Sequence, residues 1–219
     1  MTYMKIQRFE QSCFSIEVPA GVIYFDPFGI PSEAKKADLI LISHTHFDHF
    51  QKKSIQNIIK DETQLIGPAS KGKKLRSWDG IGMSPGDTLQ KKGFSIQAIP
   101  MYNQAFFRKL FFHPKRKGFI GYVVSVGEAA LYHAGDTDLI PEMGNLKKVD
   151  VAFLPIGGTF TMNAREAVQA VGVISPQYII PMHEKKEDLN EFKNDVENSH
   201  ENVQVLPMKP QTEITLEDL

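Results

Sequence analysis

Residues 44–49 bring three of the chain's seven histidines and an aspartate into one short segment, as His44, His46, Asp48 and His49. The segment follows directly on the strand-like run 38–42. Imidazoles two positions apart at the mouth of a strand can bind one divalent ion. The aspartate and the third histidine, which point the other way, can bind a second. A histidine-rich surface turn is the alternative reading, but α/β proteins place their crevices at strand ends, which favours a metal site.

A two-metal site needs about four ligands per ion, so distant residues must complete the loop. Two candidates stand at the ends of apolar strands. Asp136 lies in the sequence His-Ala-Gly-Asp-Thr, where the side-chain-free Gly135 lets the backbone approach a site closely. His183 terminates the apolar run 178–182. We therefore expect both side chains to face the same crevice as the histidine loop.

The elements that must position these residues alternate between strands and helices. Period-two patterns and turn residues predict strands at 4–9, 13–18, 22–25, 64–67, 81–83, 88–89, 94–99, 121–126, 129–133, 151–154, 178–181, 203–206 and 213–215. Helices are predicted at 52–60, after Pro68, at 164–173 behind an Asn163 and Glu166 capping box, and at 188–197. Two halves, each with strands first and helices after, predict two sheets face to face with helices outside.

Composition narrows the class of protein. A chain of 219 residues with 42% hydrophobic content fits one domain, 1–219. The net charge of −1 gives no global attraction to nucleic acid or anionic membrane. Cys13 is the only cysteine, which suits a reducing compartment. The first residues lack the apolar core of a signal peptide and no run is long enough to span a membrane, so we expect a cytoplasmic protein.

At these residues the chain resembles the metallo-β-lactamase superfamily of metal-dependent hydrolases, and most closely its short lactonase-like members. The resemblance runs from about residue 9 to 206 and rests on the following motifs: 25–28, 44–49, 132–137, 154–159 with 161–162, and 180–183. It implies an α/β (α+β) fold, a four-layer αββα sandwich. It also implies that His44 and His46 hold a first ion, that Asp48, His49 and His183 hold a second, and that Asp136 bridges them. Asp26 matches an aspartate that supports the metal loop from behind.

One position departs from that pattern. Many relatives place a third histidine for the first ion after a strand and a proline, but this chain has Asn103 there. An amide oxygen is a weaker and harder ligand than imidazole, so the site would bind zinc less tightly or prefer manganese or iron. The alternative is that His113, ten residues further on, completes the first site. The expected cofactor is zinc, as one or two ions, with manganese or iron as alternatives.

The expected chemistry is hydrolysis by metal-activated water, because a divalent ion lowers the pKa of bound water from about 15.7 to about 7. Asp136 would bridge the ions, and Asp48 would orient the water while it binds the second ion. Tyr102 or His113 would donate a proton to the leaving group. His133 lies three residues before Asp136, so strand alternation turns it away into a structural role.

The substrate is expected to be a small anionic ester, lactone or phosphodiester. Residues 106–117 mix four phenylalanines with five basic residues and no acid. As a loop beside the site they would offer cations and an apolar wall. As a hairpin they would bury the phenylalanines against the core or against a second subunit, which leaves a homo-oligomer open. A second basic cluster, Lys71, Lys73, Lys74 and Arg76, is interpreted as a solvated helix face.

Two other classes of function compete with this hydrolase. A nuclease of the same fold would need a track for a polyanion, and the net charge of −1 argues against nucleic acid as a partner. The third class is a non-catalytic or redox metal-binding module. A purely binding role would predict damaged metal ligands, and only Asn103 looks altered. Iron-based redox relatives usually replace the second histidine of the loop with glutamate, whereas this chain keeps His46.

Overall fold

Two seven-stranded sheets form the centre of the molecule in a computed structural model that describes residues 3–217. In the first sheet the strands follow the order β14-β1-β2-β3-β4-β5-β6. Their bounds are β1 Tyr3–Arg8, β2 Phe14–Val18, β3 Gly21–Phe25, β4 Leu39–Leu41, β5 Gln64–Pro68, β6 Ile81–Met83 and β14 Glu213–Glu217. The strands β14, β1, β2 and β3 pair antiparallel, and β3 to β6 pair in parallel. The histidine loop therefore follows a central parallel strand, β4.

The second sheet has the order β13-β12-β11-β10-β9-β8-β7. Its strands are β7 Thr88–Lys91, β8 Phe94–Met101, β9 Phe119–Val126, β10 Ala129–His133, β11 Val151–Pro155, β12 Tyr178–Met182 and β13 Gln204–Val205. Pairing is antiparallel from β7 to β10 and parallel from β10 to β13. Asp136 and His183 follow the parallel strands β10 and β12, so both emerge at the carboxyl edge of this sheet.

Four of the five helices in the described residues pack on the outer faces of the sheets, and the third, short helix has no buried residues. Their bounds are α1 Lys52–Ile58, α2 Gly72–Leu75, α3 Phe106–Phe111, α4 Ala164–Ile174 and α5 Leu189–Ser199. The predicted capping box at the start of α4 is confirmed, because Asn163 accepts from the Glu166 amide while the Glu166 carboxylate accepts from the Asn163 amide. Within the described residues, no helix is both long and apolar enough to cross a bilayer.

Two apolar clusters define the layers. The larger cluster fills the space between the sheets, with Phe14 of β2 and Phe153 of β11 in tilted contact at 4.7 Å between ring centroids, and it continues into α4 and α5. The smaller cluster joins the outer face of the first sheet to Ile55 of α1 and Leu75 of α2. The predicted αββα sandwich is confirmed by this order of helix, sheet, sheet and helix.

Residues 106–117 correct one sequence prediction. They form neither an open loop nor a hairpin, but the short helix α3 followed by a 3₁₀ turn at Lys115–Lys117. The side chains of Phe106, Phe107 and Phe111 are 76%, 65% and 58% exposed. The hairpin interpretation, in which these rings are buried against the core of the same chain, is therefore wrong.

Candidate metal centre

Three imidazoles converge at the end of β4. The Nε2 atom of His44 lies 3.1 Å from Nδ1 of His46, which in turn lies 3.3 Å from Nε2 of His113. All three ligand atoms lie within 4.8 Å of one another. We call these residues the first ligand group. Three nitrogens at this separation can all direct lone pairs at a single divalent ion.

A second group forms beside it from Asp48, His49 and His183, whose ligand atoms also lie within 4.8 Å of one another. The Nε2 atom of His183 is 3.5 Å from Oδ2 of Asp48, and Nε2 of His49 is 3.8 Å from the same oxygen. His183 adopts a positive φ of 52° directly after β12, a backbone conformation that is uncommon for a non-glycine residue. We call these residues the second ligand group.

Asp136 lies between the two groups. Its Oδ2 atom is 3.3 Å from Nε2 of His49, 3.5 Å from Nε2 of His183 and 4.0 Å from Nε2 of His113. One carboxylate oxygen therefore lies close to imidazoles of both groups. This position is the one that a ligand shared by two cations must have.

Gly135 allows this close approach. Its φ is +63°, and a Cβ at this position would lie 2.7 Å from Sδ of Met101 and 2.9 Å from Cβ of Ser43. Ser43 follows β4 of the first sheet, and Met101 ends β8 of the second. The missing side chain at Gly135 thus lets the end of β10 pack against the segment that leads into the histidine loop.

Asp26 and Ser43 hold the histidine loop from behind. The backbone amide and the hydroxyl of Ser43 donate to Asp26 over 2.7 and 2.6 Å, and Nδ1 of His49 donates to the same carboxylate over 2.8 Å. The Ser43 hydroxyl also lies 3.0 Å from Nδ1 of His44. Because the outer nitrogens of His44 and His49 are occupied in this way, their Nε2 atoms face the cluster.

The two candidates for a third ligand beside His44 and His46 differ in how their side chains are engaged. The amide oxygen of Asn103 accepts hydrogen bonds from Nδ1 and from the backbone amide of His113, over 3.1 and 3.2 Å. Its amide nitrogen donates to Asp138 over 3.0 Å and to the carbonyl of Phe160 over 2.9 Å. Both ends of the Asn103 side chain are thus engaged outside the ligand groups, and His113 presents Nε2 to them.

Tyr102 does not reach the cluster. Its hydroxyl donates to Glu142 over 2.8 Å, and the ammonium of Lys115 lies 4.6 Å from its ring centroid and also pairs with Glu142. The sequence-based suggestion that Tyr102 donates a proton to the leaving group is not supported, since its hydroxyl points to a different part of the surface.

Burial and neighbouring charges lower the pKa of some histidines of the cluster and raise the pKa of others. Burial lowers the pKa of His113 to about 4 and, together with the charge of His49, lowers the pKa of His44 well below its usual value. Burial alone would also lower the pKa of His49, but Asp136 and Asp26 outweigh it and raise that pKa well above the usual value. Burial also opposes the charged form of His183, but Asp136 and Asp48 raise its pKa above the usual value. The buried carboxylates thus favour positive charge at His49 and His183, and a divalent cation in the same place would supply it.

The cluster contains buried polar atoms that a cation would satisfy. Among the described residues, Nε2 of His49, Oδ1 of Asp136 and both ring nitrogens of His183 have no hydrogen-bond partner. An unpaired buried polar atom costs about 1–3 kcal/mol, so proteins rarely retain several of them together without a ligand. The nitrogen and carboxylate donors fit a divalent transition metal such as zinc.

A cavity of about 380 Å³ opens directly on the cluster. Its lining combines side chains of the metal cluster with three phenylalanine rings. The lining residues are Thr45, His46, Phe47, Asp48, Phe112, His113, Asp136 and Phe160. Sequence reasoning singled out neither Phe47 nor Phe160 as a wall residue. Phe47 stands between His46 and Asp48, and this position in the histidine loop is the signal that the sequence carried. The structure shows its side chain to be 78% exposed.

His133 and Arg108 lie outside this cavity. His133 donates through Nε2 to the carbonyl of Ser12 over 2.9 Å and stacks on Phe25 at 4.7 Å, as its structural role requires. Arg108 of α3 pairs with Asp138 at 3.0 Å and with Glu166 at 2.7 Å. The guanidinium of Arg108 therefore anchors α3 to the second sheet and is not free to meet a substrate.

Comparison with known proteins gives one consistent family. The model of the family described as "Beta-lactamase superfamily domain" matches residues 5–183. A "UPF0173 metal-dependent hydrolase" of Caldivirga maquilingensis is 33% identical over 215 residues, which cover 91% of this chain and 92% of that protein. A Methanopyrus kandleri protein with the same description is 31% identical, with 94% and 97% covered. The structure of Igni18, a metallo hydrolase of Ignicoccus hospitalis, superposes with a TM-score of 0.81 at 28% identity, covering 99% of this chain and 100% of that one.

Proposed function

Because the chain belongs to the β-lactamase superfamily and to its metal-dependent hydrolases, we propose that it uses metal-activated water to cleave a small ester, lactone or phosphodiester. The observation that carries this proposal is the position of Asp136, whose Oδ2 lies within 4.0 Å of imidazoles from both ligand groups. A single shared carboxylate between two such groups is the arrangement expected of a two-metal hydrolase.

In this proposal, His44, His46 and His113 would hold the first ion, and Asp48, His49 and His183 would hold the second. Asp136 would serve both ions, and Asn103 would orient His113 rather than bind metal. Imidazole-rich groups of this kind suit zinc, whereas an amide oxygen in the place of His113 would have favoured a harder ion. We therefore propose zinc at both positions, with manganese or iron as the alternatives that elemental analysis must distinguish.

A divalent cation at such a site lowers the pKa of a bound water from about 15.7 to about 7 and so supplies a nucleophile at neutral pH. The chain's own residues orient and shield that nucleophile. Asp48 lines the cavity, where its carboxylate would accept a hydrogen bond from the attacking water. The rings of Phe112 and Phe160, in edge-on contact at 4.6 Å, exclude bulk water from one side.

The leaving group takes its proton from solvent in this scheme. His113 is a poor donor because its Nδ1 hydrogen is already given to Asn103 and its Nε2 faces the first group. The cavity of about 380 Å³ has room for a small molecule, which supports a small-molecule substrate over a folded macromolecule.

The test combines metal content with turnover. Elemental analysis of protein purified without added metal, followed by a screen over esters, lactones, thioesters and phosphodiesters, should give two ions and a hydrolysed substrate. Asp136→Ala and His46→Ala should each remove at least one ion and lower turnover by about a hundredfold or more. Asp150→Ala is the matched control, because it removes a buried carboxylate at the other end of β10. This variant should keep the wild-type metal content and the wild-type turnover. Full turnover in Asp136→Ala would refute the proposal.

A further inference from the structure

Two basic segments that are distant in the sequence meet beside the cavity. Residues 69–78 and 114–118 contain lysine and arginine but no acid. The ammonium groups of Lys71 and Lys117 lie 5.2 and 5.6 Å from the centroid of the same ring, that of Phe119. Six cations of these segments form what we call the basic face: Lys71, Lys73, Lys74, Arg76, Arg116 and Lys117.

The basic face has no acidic partner. Within residues 3–217, no carboxylate forms a salt bridge with any of its six cations, whereas Lys35, Lys60 and Arg108 each have a carboxylate oxygen at 2.6–3.0 Å. Burial, together with the charges of Lys71 and Arg116, lowers the pKa of Lys117. Like charges held together in this way repel one another, and an anion bound between them removes that repulsion.

The basic face is continuous with the edge of the cavity. The ammonium of Lys74 donates to the carbonyl of Thr45 over 3.2 Å, and the ammonium of Lys117 donates to the carbonyl of Phe112 over 3.0 Å. Thr45 and Phe112 both line the cavity. The shared ring of Phe119 packs 6.1 Å from His46, so the cations lie on the side of the first ligand group.

We propose that the basic face binds a phosphate group of the substrate while the bond to be cleaved lies in the cavity. This inference rests on the proposed function and names its substrate class: a small phosphorylated ester or lactone. A phosphate monoester carries a charge of about −1.5 to −2 at neutral pH, which several lysine point charges can share. A carboxylate carries a single charge, so it would offset less of the repulsion among the six cations of the basic face than a phosphate does.

Inorganic phosphate is the probe that tests this site. Its affinity for the metal-loaded protein should fall about tenfold in Lys71→Gln/Lys117→Gln, because two partly exposed ion pairs are worth roughly 1–2 kcal/mol together. Lys52→Gln/Lys53→Gln, two exposed lysines of α1, removes the same charge elsewhere and should leave phosphate affinity unchanged. Acetate at the same concentrations should bind much more weakly than phosphate. Higher salt should weaken phosphate binding in the wild type more than in the Lys71→Gln/Lys117→Gln variant.

The failure of this inference and that of the proposed function can be told apart. Equal phosphate affinity in wild type and in the Lys71→Gln/Lys117→Gln variant, at equal metal content, overturns the phosphate site and leaves the hydrolase intact. Tight binding of a single-stranded RNA oligomer without binding of phosphate also overturns it, in favour of a polyanion track. Lysine-dependent phosphate binding by a chain that hydrolyses nothing supports the phosphate site and refutes the hydrolase.

Discussion

Replacing Asn103 with alanine tests how the first ligand group is held. The Asn103 side chain is 2% exposed and makes four hydrogen bonds, two of them to His113. At a net value of about 1 kcal/mol per bond, with buried partners left unpaired, the free energy of unfolding should fall by about 3–4 kcal/mol. Loss of the residue that orients a metal-binding imidazole typically weakens metal binding by about 10–100-fold.

The two effects are measured separately. Urea denaturation of the metal-free protein gives the change in stability, and competition with a chelator gives the affinity for zinc. Asp150→Ala is the matched control, because this carboxylate is 3% exposed and accepts from the amide of Ala130 over 2.7 Å far from the ligand groups. It should lower stability and leave the zinc affinity unchanged.

One result would refute this reasoning. If folded Asn103→Ala protein bound zinc as tightly as the wild type, the orientation of His113 would not depend on the amide. His113→Ala provides the complementary measurement and should lower the metal content from two ions to one. An unchanged content of two ions would exclude His113 from the first ligand group.

Three further predictions concern the rest of the molecule. Burial alone raises the pKa of Asp38, but the hydrogen bond and charge of Lys60 lower it below the usual value, so the stability that it contributes is present above about pH 4 and lost as the pH falls through the lowered pKa. Asp38→Asn should therefore destabilise the protein at pH 7 and have progressively less effect in acid, as urea denaturation will show. A Cβ at Gly157 would overlap the carbonyl oxygen of His183, so Gly157→Ala should lower the melting temperature and the affinity for the second ion. Burial raises the pKa of the Cys13 thiol, so a thiol reagent should label it only after unfolding.

Each of these three predictions has a control variant or a result that would contradict it. A constant difference between wild type and Asp38→Asn from pH 7 down to about pH 2 would contradict the ion-pair argument. Gly72→Ala, where an added Cβ has no atom within 4 Å, should leave stability and metal binding unchanged. Rapid labelling of Cys13 in the native protein would show that the core around the first sheet opens readily.

The sequence alone predicted those features of the fold and of the candidate site that depend on neighbouring residues. The strand patterns, the capping box of Asn163 and Glu166, and the density of histidines in 44–49 all depend on neighbouring residues. Asp136 and His183 were predictable as site residues because each ends an apolar strand, and parallel strands end at one edge.

The rest depends on contacts between distant parts of the chain. The orientations of Asn103 and His113 depend on such contacts: Asn103 bonds to both His113 and Asp138, and Arg108 pairs α3 with Asp138 and Glu166. The basic face could not be predicted from the sequence for the same reason. Its two segments were interpreted separately as a solvated helix and a substrate loop, and only the packing of both against Phe119 brings them together.

The proposed ligands come from both halves of the chain, with residues 44–49 early and His113, Asp136 and His183 late. During translation at about 5–20 residues per second, the early histidines leave the ribosome on the order of ten seconds before His183 does. In that interval a nascent chain offers only an incomplete set of donors, which any abundant transition metal can occupy weakly. With the proposed ligand set, the full group of donors exists only after β12 docks and brings His183 to the cluster.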